Sequence, residues 1–66
     1  MNGLELKELR KDTNTTQLEL AEYLGYQING LPNRSMIARF ENGHAKINTR
    51  VAMLCKLFFE TKKSAV

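Results

Sequence analysis

The stretch Asn33-Arg34-Ser35-Met36-Ile37-Ala38-Arg39-Phe40-Glu41-Asn42-Gly43 carries the residue types that could do chemistry in this chain. That chemistry is hydrogen bonding to a polyanion. At about 100° per helical residue, Met36, Ile37 and Phe40 share a sector of roughly 100°, and Arg34, Ser35, Ala38 and Arg39 share another about 140° wide. The first sector is apolar and buries. The second is cationic, hydrogen-bonding and slim at Ala38. An arginine fork matches guanine O6 and N7, and small side chains let a helix backbone approach the floor of a DNA major groove. Asn33 is a good N-cap. Gly43 ends the helix, because it enters the left-handed region at little steric cost. The rival reading is an ordinary amphipathic surface helix that carries two arginines, and the rest of the chain must weigh between them.

For catalysis the chain offers little. There is no Ser/His/acid arrangement, no glycine-rich phosphate loop and no carboxylate pair set in an apolar pocket. One cysteine and one histidine exclude an intrachain disulfide and a zinc site of the usual four ligands. His44 reads as an exposed linker residue and Cys55 as a core thiol. We therefore expect no enzyme, no cofactor and no metal.

Charge favours a polyanion partner. The 66 residues carry a net +3, unevenly placed. Residues 1–30 set Lys7, Arg10 and Lys11 against Glu5, Glu8, Asp12, Glu19 and Glu22. Residues 31–50 set Arg34, Arg39, Lys46 and Arg50 against Glu41 alone, and residues 51–66 set Lys56, Lys62 and Lys63 against Glu60. Positive charge is thus concentrated from the Asn33 stretch onward, as a nucleic-acid partner would want. No apolar run marks a secretion signal or membrane span, which points to a cytoplasmic protein.

The elements that must position these residues are helices. Asn2 can cap a first helix to Asp12, with Glu5 reaching back and Leu6 and Leu9, with Leu4 near the start, turned inward. Thr16-Gln17-Leu18-Glu19 has the spacing of a capping box and starts a second helix, whose buried face is Leu20, Ala21 and Leu24 and whose stop is Gly25. Residues 26–32 read as a loop around the turn dipeptide Asn29-Gly30, with Tyr26, Ile28 and Leu31 packed on the domain. After the Asn33 helix, Asn48 or Thr49 can cap a fourth, running from Arg50 to about Thr61. It is apolar almost all round, and a helix of that kind wants burial on all sides. Met36 and Met53 read as core filler. Residues 1–61 form one domain and 62–66 a flexible tail.

Leu6-Lys7-Glu8-Leu9-Arg10, then the block from Thr16 to Gly25, then Ile37-Ala38-Arg39-Phe40-Glu41-Asn42-Gly43 resemble the helix-turn-helix domain of lambda-repressor-like and Cro-like (Xre-type) regulators. The resemblance covers residues 4 to about 59. It implies an all-α domain of four or five helices, from which this chain departs by a turn between helices two and three about six residues longer than usual. It implies that Arg34, Ser35 and Arg39 read base edges, that Thr16, Asn42 and Lys46 contact the DNA backbone, and that Gln17 contacts that backbone and braces the recognition helix. Asn33, at the start of that helix, joins the interface. Arg10 and Glu41 match a pair that ties helix one to the end of the recognition helix. The expected function is a sequence-specific transcriptional regulator, a repressor, acting on double-stranded DNA as a homodimer through the fourth helix, with Leu57, Phe58 and Phe59 as interface residues. The alternative is a protein–protein interaction module of the same fold, such as an antitoxin or anti-repressor.

Overall fold

Every long helix begins where a short polar side chain takes an orphan backbone N–H. In the computed structural model, which describes residues 1–64, the order is α1 (Gly3–Asp12), α2 (Gln17–Leu24), β1 (Gln27–Ile28), β2 (Leu31–Pro32), α3 (Ser35–Glu41) and α4 (Thr49–Ser64). The Asn2 side chain accepts from the Glu5 N–H at 2.8 Å, Thr16 Oγ1 from the Glu19 N–H at 3.0 Å, and Asn48 Oδ1 from the Val51 N–H at 2.8 Å. Such caps are worth about 1 kcal/mol each. The helix stops are equally local. Gly25 sits at φ 82°, with the Tyr26 N–H on Ala21 O at 3.0 Å and the Gly25 N–H on Glu22 O at 3.2 Å. This is the paired hydrogen bonding of a Schellman motif, and it requires the left-handed residue.

The segment expected as a loop is instead a minimal antiparallel hairpin, so the architecture is mostly helical rather than all-α. Gln27 pairs with Pro32 and Ile28 with Leu31. The connecting Asn29 and Gly30 both have positive φ, at 54° and 79°, the combination a two-residue type I′ turn needs. The Asn33 N–H donates to Tyr26 O at 2.9 Å and closes the base of the hairpin. Tyr26 packs on the domain, its ring 6.0 Å from that of Phe40. Ile28 and Leu31 do not: both are exposed, because two residues of strand lift the tip clear of the helices.

The core is Leu6, Leu20, Ala21, Ile37, Phe40, Cys55 and Phe59. It sits where α1, α2 and α3 converge on one side of α4. Burying a ring such as Phe59 contributes about 1.5–3 kcal/mol. α1 lies so close to the end of α3 that a Cβ on Gly3 would collide with the Phe40 carbonyl and stand 2.8 Å from the Glu41 carbonyl oxygen. Two expected core positions, Leu4 and Met53, are exposed. Leu4 lies on the outer side of α1, and Met53 and Leu54 lie on the side of α4 that no other element covers. Met36, by contrast, packs against the core.

α4 continues past Thr61 through Ser64. Lys62 explains part of that extension: its Nζ lies 2.6 Å from Glu19 Oε2 and 5.5 Å from the centre of the Phe58 ring. The Glu19 carboxylate is turned to Lys62 on α4, and the Thr16 backbone N–H still draws on it. The Lys62 hydrogen bond, helped by the lysine's charge and the Thr16 backbone N–H, holds the Glu19 carboxyl below its ordinary range against the opposing effect of desolvation. Of the expected 62–66 tail, residues 65–66 lie outside the described residues.

Candidate nucleic-acid interface

Phe40 and Ile37 sink α3 into the core, and that fixes what its other side presents. Arg34, Ser35 and Arg39 are exposed, with Ala38 half-buried among them. The Asn33 side chain starts the element one residue earlier than a simple cap. Its Oδ1 accepts from both the Ser35 N–H (3.0 Å) and the Ser35 hydroxyl (2.8 Å). The structural N-cap is thus Arg34, which makes no capping bond of its own. This leaves the Arg34 side chain available to reach across to α2.

There it enters a chain of hydrogen bonds. Arg34 Nη1 donates to Gln17 Oε1 at 3.0 Å, and Gln17 Nε2 donates to Glu41 Oε1 at 3.1 Å. Glu41 also takes a two-pronged contact from Arg10, Nε to Oε2 at 2.7 Å and Nη2 to Oε1 at 3.2 Å. Arg10 Nη1 donates in turn to the Thr15 carbonyl at 3.0 Å. Bidentate arginine–carboxylate pairing fixes geometry as well as attraction. The Glu41 side chain is only 4% exposed and that of Arg10 14%, so this pair is largely withdrawn from water. The result is a brace: α1, the N-terminus of α2 and both ends of α3 are tied through two glutamate oxygens. Gln17 is the hinge pin, since its amide accepts from one end of α3 and donates to the other.

The brace lines the floor of an open groove of about 640 Å³, edged by Lys7, Asn14, Thr16, Gln17, Arg34 and Asn42. With Arg10 and Glu41 neutralising one another, Lys7 and Arg34 leave the groove positive. Of the residues expected to touch nucleic acid, Thr16, Gln17, Arg34 and Asn42 are brought together here. Asn33, Ser35 and Arg39 continue the surface along α3. Lys46 is not part of the groove. It lies beside a separate hollow of about 340 Å³ between the start of α1 and the segment after α3. Lys7 and Asn14 were missed by the sequence reading. The signal for Lys7 was present: it stands three residues before Arg10 on α1, and residues so spaced share a helix face.

Among the described residues no group of His, Cys, Asp and Glu side chains could hold a metal ion, and no helix is long and apolar enough to cross a membrane. Cys55 is fully buried, and burial pushes its thiol up to about 11. At neutral pH it is a protonated core group. No protein-family model, no curated protein and no solved structure matches this chain.

Proposed function

We propose that the protein is a sequence-specific DNA-binding regulator, a repressor of transcription in the cytoplasm, which places α3 in the major groove and acts as a homodimer. The observation that carries this reading is the division of α3: Ile37 and Phe40 are buried while Arg34, Ser35 and Arg39 face outward on a helix braced at both ends. Arg39 is the base reader, free to pair with guanine. Arg34 positions as much as it reads, because one of its N–H groups is already held by Gln17. Gln17, Thr16, Asn42 and Lys7 take phosphates at the groove, and such contacts set register and salt dependence rather than sequence. Lys46, on its separate hollow, takes a phosphate further along the strand. Half-sites then lie about one helical turn, roughly 34 Å, apart.

Selection from random double-stranded DNA at low salt is the test, followed by binding of the enriched sequence to Arg39→Ala. Enrichment of a two-fold-related motif is expected, with Arg39→Ala losing about 1–3 kcal/mol and relaxing preference at one base pair. No enrichment, or an Arg39→Ala protein that binds every sequence as the parent does, would remove the base-reading role and favour a protein partner.

A further inference from the structure

The expected dimer contacts Phe58 and Phe59 are turned inward. Phe59 belongs to the core, and Phe58 stacks on Tyr23 at 4.6 Å and on Phe59 at 5.6 Å. The uncovered side of α4 presents the third expected contact, Leu57, together with Arg50, Met53 and Glu60, all exposed, with Met53 at 66% and Leu57 at 56%. Their spacing is three, four and three residues, the a/d stripe of a helix that packs along another helix. The stripe is apolar in its middle, with Arg50 at its N-terminal end and Glu60, flanked by Lys56 and Lys63, at its C-terminal end.

That order selects its occupant. A parallel copy would set Arg50 on Arg50 and Glu60 on Glu60. An antiparallel copy about a two-fold axis near residue 55 sets each a position on a d position of its neighbour. Arg50 then meets Glu60 at both ends, and Met53 meets Leu57 twice between them. A surface that is complementary to itself under a two-fold is what a symmetric dimer requires. We infer that a second copy of this chain covers α4 in this antiparallel register, with Leu54 packed at the edge of the seam. The inference rests on the homodimer in the proposed function and assigns its interface. With only two apolar layers the contact belongs to the small, weak class, below about 1,200 Å². The dimer is therefore concentration-dependent and completed on DNA.

Sedimentation equilibrium of the full chain across micromolar to millimolar concentration is the test. Mass should rise from one chain toward two. Leu57→Glu should weaken association at least about tenfold, since it sets a carboxylate in each apolar layer. Glu60→Arg should do the same by placing arginines together, and Arg50→Glu combined with Glu60→Arg should restore the parent's association. Circular dichroism confirms that each variant is folded, and should Leu57→Glu unfold, the charge-exchange series decides alone. Orientation is read by oxidation: Met53→Cys mixed with Leu57→Cys should cross-link, whereas Met53→Cys alone should not. A single-chain mass at every concentration, a double exchange that stays monomeric, or cross-linking of Met53→Cys to itself would overturn the register. Binding to one isolated half-site separates the two ideas. A monomeric Leu57→Glu that keeps half-site affinity supports the interface and the regulator together. A parent protein that dimerises as described but selects no DNA leaves the interface standing and removes the regulator.

Discussion

Replacing Glu41 by alanine should cost this protein much of its stability. The carboxylate accepts three hydrogen bonds, two from Arg10 and one from Gln17. Removing it leaves a guanidinium whose side chain is 14% exposed with its one bond to Thr15 O. Removing one partner of a fully buried pair costs about 3–5 kcal/mol. Partial access of water to Arg10 lowers that to roughly 2–4 kcal/mol. A domain of this length holds on the order of 3–10 kcal/mol in total. The midpoint should therefore fall by about 10 °C or more, and the protein should be partly unfolded near body temperature.

Urea unfolding followed by circular dichroism measures this as a shift in midpoint at constant slope. Glu41→Gln keeps one acceptor oxygen and should lose less than Glu41→Ala. The decisive comparison is the pair Arg10→Met and Glu41→Leu. If the two side chains stabilise chiefly by satisfying one another, the double variant should be more stable than the sum of the single losses allows, by 1 kcal/mol or more. A loss under about 0.5 kcal/mol for Glu41→Ala, or strict additivity of the two singles, would refute the brace as a structural unit.

Two further outcomes follow from residues that do not line the groove. Gly3→Ala should destabilise by about 1–3 kcal/mol in thermal unfolding, because its Cβ meets the backbone carbonyls of Phe40 and Glu41, which cannot move aside. Helix propensity alone predicts the opposite sign, so a stabilised Gly3→Ala would show that α1 and α3 do not approach this closely. Cys55 should resist iodoacetamide at pH 8 until denaturant is added. Its folded pKa of about 11 lies above the usual thiol value, so the neutral thiol's contribution is complete below about pH 8.5 and fades as pH rises toward 11. Cys55→Ala should lack that part of the alkaline decline, and native-state alkylation as fast as in urea would contradict the burial.

What the sequence disclosed and what it hid divide along the range of the interactions. Asn2, Thr16 and Asn48 were legible as caps because a cap is settled within three residues, and the structure places a side-chain bond at each. The hairpin was within reach on the same local grounds, since Asn29-Gly30 between Ile28 and Leu31 is a strong two-residue turn signal. It escaped because strands of two residues have no periodicity to count. Gly3 and the Glu19–Lys62 pair could not be read locally. One depends on how close α3 comes to α1, and the other on α4 running far enough to bring Lys62 alongside α2. The same holds for α4. Its composition argued for burial on every side, but four helices of these lengths cover one side only, leaving Met53 and Leu57 to water. In the groove, the Arg10–Glu41 pair was expected through the resemblance to helix-turn-helix regulators, not through spacing. Gln17 was expected as a brace on the same ground, but its two opposed bonds could be known only once both ends of α3 were placed beside α2. The residues of the groove and of the outer side of α3 were therefore legible by type and position along the chain, Lys7 and Asn14 excepted. What ties Arg34 and Gln17 in place is a chain of bonds that ends on a glutamate whose side chain is only 4% exposed, and no local pattern reveals that role.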